Sequence, residues 1–215
     1  MPVPANAKVY HIVHVDRLPS IIASNGLHCD SFMQGNAHPG TTIGMPGLKQ
    51  TRLHQPVDVH PGTTVGDYVP FYFCSRSVML YVIYMRNHPG LQYKGGQGPI
   101  VHLEADLVAV LEWAEANGVD WAVSLGNATA LYAEFRHERH ELEEIRWDLL
   151  HQRDFRDPAV KEAKQSELLI HQFFPWTLVE RIGAISDAIT NQAAQIVQGC
   201  NHRPTVQRMP GWYYG

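Results

Sequence analysis

Residues 8–27 read KVYHIVHVDRLPSIIASNGL. Lys8 to Val15 is β-branched and aromatic at near period-2 spacing, which predicts a strand. Asp16 stands where a helix N-cap is expected, Pro19 falls in the first turn after it, and Gly26 lies past the end. The chain therefore opens β–α with its punctuation in place.

Outward from this opening, residues 30–67 are rich in Gly, Pro, Thr and His with no sustained apolar period. Such a stretch inside a packed domain reads as a functional loop without strong structure. YVPFYF (68–73) is an apolar aromatic run, a strand or a buried turn. SRSVMLYVIYMRN (75–87) is apolar nearly all round, which predicts a buried helix. IVHLEA (100–105) reads as a strand, and DLVAVLEWAEANG (106–118) as an amphipathic helix ended by Gly118. VDWAVSL (119–125) reads as another strand. Residues 133–164 are charged and partly helical. ELLIHQFFP (167–175) reads as one strand ending at its proline. WTLVERIG and DAITNQAAQIVQG read as helices around a short AIS strand, and TVQRMPGWYY as a last strand. Helices and strands are mixed, and no strand leads into a Gly-rich phosphate turn. The expected class is α+β in a single domain over 1–215, not a doubly wound fold.

Composition narrows the class further. Of 215 residues, 45% are hydrophobic and 18% charged, which describes a packed globule and excludes a disordered chain. Cys29, Cys74 and Cys200 are an odd, scattered set, as expected in a reducing cytoplasm. No apolar run has signal-peptide or membrane-span length, so a cytoplasmic protein with no membrane role is expected. The net charge is −4, but residues 1–102 carry seven bases against four acids, and residues 133–167 seven against ten. A local nucleic-acid patch is compatible with this; a strongly basic DNA-binding surface is not.

Three residues stand out chemically. His11 lies in the opening strand with His14 three positions on. At that spacing the two face opposite sides, so they do not chelate one metal, and no other ligand set is spaced for one. By itself His11 is equally an ordinary strand histidine. Glu167 heads the apolar strand 167–175. A carboxylate entering a core costs several kcal/mol unless it is paired or used, so it is either a solvated strand end or a group aimed into a cleft. Arg52 lies in a loop bounded by Gly and Pro, where it is either solvated or able to close on a phosphate.

Taken together, five blocks resemble the DarT-type DNA ADP-ribosyltransferase toxins. They are Tyr10-His11-Ile12-Val13-His14; Asp16 to Ile22 with Asn25-Gly26-Leu27; Asp67 to Phe73 running on to Ser77-Val78-Met79-Leu80-Tyr81; Gly126-Asn127-Ala128; and Lys164-Gln165-Ser166-Glu167-Leu168-Leu169. Their order and spacing carry the resemblance from about residue 9 to Trp212-Tyr213-Tyr214. The family usually has Ala at Ser166, and often Asn-Pro where this chain has Cys74-Ser75-Arg76-Ser77.

The resemblance implies an ADP-ribosyltransferase-like fold with a split central β-sheet flanked by helices. It implies NAD as co-substrate, no metal, and ADP-ribose transfer to a base of single-stranded DNA. Thymine is the expected acceptor; guanine in DNA, RNA, protein or water are the alternatives. A non-catalytic nucleic-acid-binding module is the alternative of another class. A DarG-type macrodomain antitoxin is the implied partner. Glu167 and Arg52 then match the catalytic pair, and His11, Ile12, Val13, Asn25 and Arg52 the NAD-binding positions. A loop over about 36–52 would cover the dinucleotide, and about 119–166 would recognise the substrate. Within that region Tyr132, Arg136, Arg153 and Arg156 are the expected DNA contacts.

Overall fold

The structure, a computed structural model, describes residues 1–34, 39–152 and 156–215. In chain order the elements are β1 (Lys8–His14), α1 (Leu18–Ala23), β2 (Gly26–His28), α2 (Asp30–Gln34), α3 (Pro46–Arg52) and β3 (Tyr68–Tyr72). There follow α4 (Val78–Met85), β4 (Ile100–Asp106), α5 (Leu107–Ala116), β5 (Trp121–Ser124), β6 (Phe135–Arg136), α6 (Trp147–Leu150) and α7 (Pro158–Ala163). The last are β7 (Glu167–His171), β8 (Phe173–Pro175), β9 (Arg181–Ala184), α8 (Asp187–Val197) and β10 (Thr205–Arg208).

Eight strands form one sheet in the order β10-β9-β4-β1-β3-β7-β5-β6, while β2 and β8 pair separately. Only β9–β10 runs parallel. The centre is covered on both faces, which is why its strands read as apolar runs instead of alternating ones. Leu168 and Ile170 of β7 enter the main core, while Leu169 between them packs with Tyr68, Ala122 and Phe135 on the other side. On another flank, Leu80 and Ile83 of α4 close over Ile12, Ile100 and Tyr213.

The sheet is weakest in the middle. β1 pairs with β4 along its whole length, Lys8↔Asp106 to His14↔Ile100, but with β3 at one position, Tyr10↔Tyr72. Pro70 accounts for part of this. It lacks an N–H, so it is tolerated in a central strand only where a ladder bond is already missing. Its carbonyl points to β1 and accepts from a histidine ring instead of a backbone amide.

Several expectations change. Asp16 does not cap α1. It sits in a 3-10 turn (Val15–Arg17), and its carboxylate accepts from the Thr41 amide (2.9 Å) and hydroxyl (2.7 Å). Asn25, not Gly26, takes the left-handed turn at φ 60°. Gly26 is required for closeness: a Cβ there would stand 2.2 Å from the Phe174 carbonyl oxygen. Residues 30–67 are less irregular than their composition implies, since α2, α3 and a 3-10 turn (Val65–Asp67) lie within them. The apolar segment 75–87 is only partly buried, with Tyr84 and Met85 about two-fifths exposed. Residues 167–175 form two strands, because Gln172 at φ 60° turns the chain into the second sheet. WTLVERIG is not a helix. It makes a 3-10 turn (Trp176–Leu178) and then β9, whose pairing with β4 outweighs local propensity. No described helix is long and apolar enough to cross a membrane.

Candidate active site

Where β1 and β3 part, a cavity of about 360 Å³ opens, within the range of small-molecule sites. β1 contributes His11, Ile12 and Val13, β3 contributes Pro70 and Tyr72, β7 contributes Glu167, and α3 closes over them with Lys49 and Arg52. Because β1 has no ladder with β3 beyond Tyr10, the edge carrying Ile12 and Val13 faces the cavity.

The His11 ring nitrogen Nδ1 lies 2.7 Å from the Pro70 carbonyl oxygen. A carbonyl only accepts, so Nδ1 carries the hydrogen and Nε2 is left as an acceptor. Burial pushes the ring's pKa down to about 4, against the opposing pull of that hydrogen bond, so His11 is neutral at pH 7.

Glu167 is buried at the head of β7. Its amide donates to the Ser124 hydroxyl at 3.0 Å, and that hydroxyl donates to the Gly126 carbonyl at 2.9 Å. Register places Tyr72 directly opposite Glu167. Burial first, and the Glu167 charge second, hold the Tyr72 hydroxyl protonated far above its ordinary range. Arg52 completes the group: its Nη1 donates to Glu167 Oε2 at 2.8 Å, and its Nε lies 3.5 Å from Asp30 Oδ2. Asp30 also binds Lys49 Nζ at 2.7 Å, tying α2 to α3. Burial pulls the Arg52 pKa down, but Glu167 and Asp30 outweigh it, and the net shift is upward. Arg52 is therefore a permanent cation. Its Nε and Nη2 are buried with no hydrogen-bond partner among the described residues.

The structure thus brings together His11, Ile12, Val13, Arg52 and Glu167, which lie on three elements far apart in sequence. Asn25 is not among the cavity's lining residues; it is exposed, and its carbonyl accepts from the Trp176 amide at 2.8 Å. Asp30, Tyr72, Ser124 and Arg17 belong to the site or support it, and sequence reasoning missed them. Their partners come from register and from a long crossover, which spacing along the chain does not reveal. Tyr132 is 89% exposed on the β5–β6 connection, beside Leu131 at 82%. The Arg136 guanidinium is held by Glu134 (3.0 Å) and Glu144 (2.9 Å). Arg156 is exposed, and Arg153 lies outside the described residues, as do residues 36–38 of the expected covering loop. Residues 46–52 of that loop are α3. Among the described residues, no group of three or more His, Cys, Asp or Glu is arranged to hold a metal.

The buried carboxylate, the permanent cation with two donors unmet and the neutral imidazole with a free acceptor suit an anionic, hydroxyl-rich ligand that develops positive charge. A family model described as DarT, single-stranded-DNA thymidine ADP-ribosyltransferase, matches residues 10–214. A DNA ADP-ribosyl transferase of Thermus sp. (strain 2.9) is 32% identical over 216 residues, covering 98% of each chain. Two solved structures of Thermus sp. 2.9 DarT superpose on this fold. The one in complex with ADP-ribosylated single-stranded DNA has a TM-score of 0.87 and 30% identity, with 98% of each chain covered. The one in complex with NAD+ has a TM-score of 0.84 and 29% identity, covering 99% of this chain and 100% of that one.

Proposed function

Because the chain belongs to the DarT family and is an NAD-dependent DNA ADP-ribosyltransferase, we propose that the Arg52–Glu167–His11 group is its catalytic centre. We propose thymine in single-stranded DNA as the acceptor. The observation that carries this reading is the buried Arg52–Glu167 pair at the sheet's split, beside a neutral histidine.

The cavity fits the dinucleotide chemically. Arg52 Nε and Nη2 and the Arg17 guanidinium face phosphate or amide oxygen, and His11 Nε2 accepts from a ribose hydroxyl. The exposed edge of Ile12 and Val13 meets the carboxamide. In the transfer the C1′–N bond to nicotinamide breaks, the pair leaving with nicotinamide, and a base ring nitrogen takes C1′ and loses its proton to solvent water. The Glu167 carboxylate stabilises the cationic ribose between these events, which is electrostatic catalysis without a covalent intermediate. Arg52 holds the Glu167 carboxylate in place. Glu167 and Asp30 raise the Arg52 pKa further, which makes it a poor base.

The acceptor must leave the base stack, which costs a few kcal/mol in a duplex and little in a single strand. Tyr132, exposed on a connection whose root, Ser124, touches Glu167, is the candidate for stacking against a base. A toxin held in check by a DarG-type macrodomain antitoxin, acting in the cytoplasm, completes the reading; three free cysteines agree with that compartment. Incubation with NAD and four single-stranded oligonucleotides, each enriched in one base, followed by mass measurement, tests the acceptor. Addition of ADP-ribose to the thymine-rich strand is expected. Addition to the guanine-rich strand instead, or nicotinamide release with no modified DNA, would overturn the assignment.

A further inference from the structure

A second cleft, of about 280 Å³, adjoins the catalytic row. Tyr10, which lines it, stands opposite Tyr72 in the sheet, and Tyr72 stands opposite Glu167. Directly opposed side chains on one face are about 5 Å apart at Cβ, so Tyr10 stands two strands, about 10 Å, from Glu167.

Its lining is cationic. Lys164, three residues before Glu167, is 2% exposed and donates from Nζ to the Leu150 carbonyl at 2.7 Å. The ammonium also lies 3.9 Å from the Cys74 sulfur. Burial pushes the Cys74 thiol up to about 11, so it stays neutral and does not balance the ammonium. Arg76 faces the same cleft, with Nε buried and without a hydrogen-bond partner. No carboxylate among the described residues lines the space. Two buried or half-buried cations with no counter-charge among the described residues are costly unless an anion comes to them.

The segment carrying Arg76 is also held still. The Ser75 carbonyl accepts from His102 Nε2 at 2.8 Å, and the Arg76 and Ser77 carbonyls accept from the Tyr214 hydroxyl at 2.8 and 3.1 Å. Ser77 then caps α4 by accepting from the Leu80 amide. Three consecutive carbonyls fixed from beneath leave the Arg76 side chain preorganised toward the cleft. Trp212, lining the same space, is set edge-on against Tyr10 at 5.1 Å and offers a flat apolar wall.

We propose that this cleft is a nucleotide subsite of the acceptor strand, in which Arg76 and Lys164 bind the phosphodiester flanking the modified base and Trp212 bounds the neighbouring nucleotide. The proposal rests on the reading of single-stranded DNA as substrate and names where that strand is gripped.

The test uses the full chain, NAD and a single-stranded oligonucleotide with one acceptor base. In a parallel series, each phosphodiester is replaced in turn by a neutral methylphosphonate. For the unaltered protein, one position flanking the acceptor should raise the oligonucleotide KM about tenfold, the loss expected of one charge-assisted contact. Arg76→Gln should raise the KM for the unmodified oligonucleotide by a similar factor, be indifferent to the neutral linkage at that position, and keep the KM for NAD. Arg76→Lys should recover part of the loss. An unchanged oligonucleotide KM in Arg76→Gln, or a raised KM for NAD in its place, would overturn the proposal while the DNA reading stands. A flat methylphosphonate scan of the unaltered protein would overturn it without any variant. Failure of the unaltered protein to modify any oligonucleotide would remove the DNA reading and the subsite together.

Discussion

Glu167 and Arg52 hold opposite charges 2.8 Å apart, with both side chains more than nine-tenths buried. A buried pair of this kind adds little net stability, yet removing one charge leaves the other stranded, at a cost of about 3–5 kcal/mol. Asp30, 3.5 Å from Arg52 Nε, offsets part of that cost. Glu167→Gln should therefore melt several degrees lower, given about 2–4 °C per kcal/mol for a chain of this size. It should also transfer ADP-ribose about 10²–10³-fold more slowly, the loss typical of a missing electrostatic stabiliser. NAD affinity should change far less than the rate, because the ground-state ribose carries little positive charge. Melting temperature, NAD affinity and rate measured on one preparation check this; a folded variant with near-normal transfer would remove Glu167 from the chemistry. His11, Arg52 and Glu167 were legible in the sequence only as chemically conspicuous residues, each with an ordinary structural reading beside it, and took their site roles from the family resemblance. Tyr72, Ser124 and Asp30 were not. Tyr72 and Ser124 gain their roles only when β3 and β5 take their registers against β7, and Asp30 only when α2 meets α3.

Elements were legible wherever local propensity and tertiary placement agreed, as in β1, β4, β5, α5 and α8. Elsewhere placement overrides propensity: WTLVERIG, helical by its local pattern, leads into β9, and Gln172 divides what reads as one strand. The split between β1 and β3, on which the site depends, left only Pro70 as a sign. β4 carries a further consequence. His102 is fully buried on it, with Nε2–H given to the Ser75 carbonyl, and burial lowers its pKa to about 4. In the unfolded chain that ring titrates near 6.5. Between these values the unfolded state binds the extra proton, so stability is fully present above about pH 6.5 and is lost as the pH falls toward 4. His102 contributes roughly 3 kcal/mol of this slope, and His11, with its pKa also near 4, adds to it. Melting temperatures between pH 7 and 4.5 should fall, and His102→Gln, though less stable at pH 7, should fall less steeply. Equal slopes in both proteins would show that the ring is already protonated in the fold.

At the scale of the molecule the question is how a chain of net charge −4 holds a polyanion. Among the described residues, eight of its 17 basic groups answer to its own carboxylates. Lys8, Lys49, Arg52, Arg136, Arg139, Arg146, Arg181 and Arg208 each lie within 4 Å of an acidic side chain. Long-range steering by such a surface is weak, so affinity must come from a few short-range contacts and from stacking. Binding to single strands loses affinity with salt at a log–log slope of about −0.7 per phosphate neutralised. With the cleft of Arg76 and Lys164 taking one phosphodiester and its neighbours adding one or two more, the slope should be about −2 or shallower. Oligonucleotide affinity measured between 50 and 200 mM monovalent salt, without NAD, gives this number directly. In Arg76→Gln the slope should lose about 0.7, since one neutralised phosphate is gone, while the contribution from stacking stays. A slope of −4 or steeper would mean that the internal ion pairs open and turn their cations to the DNA, and the picture of a locally gripped strand on an acidic molecule would have to be abandoned.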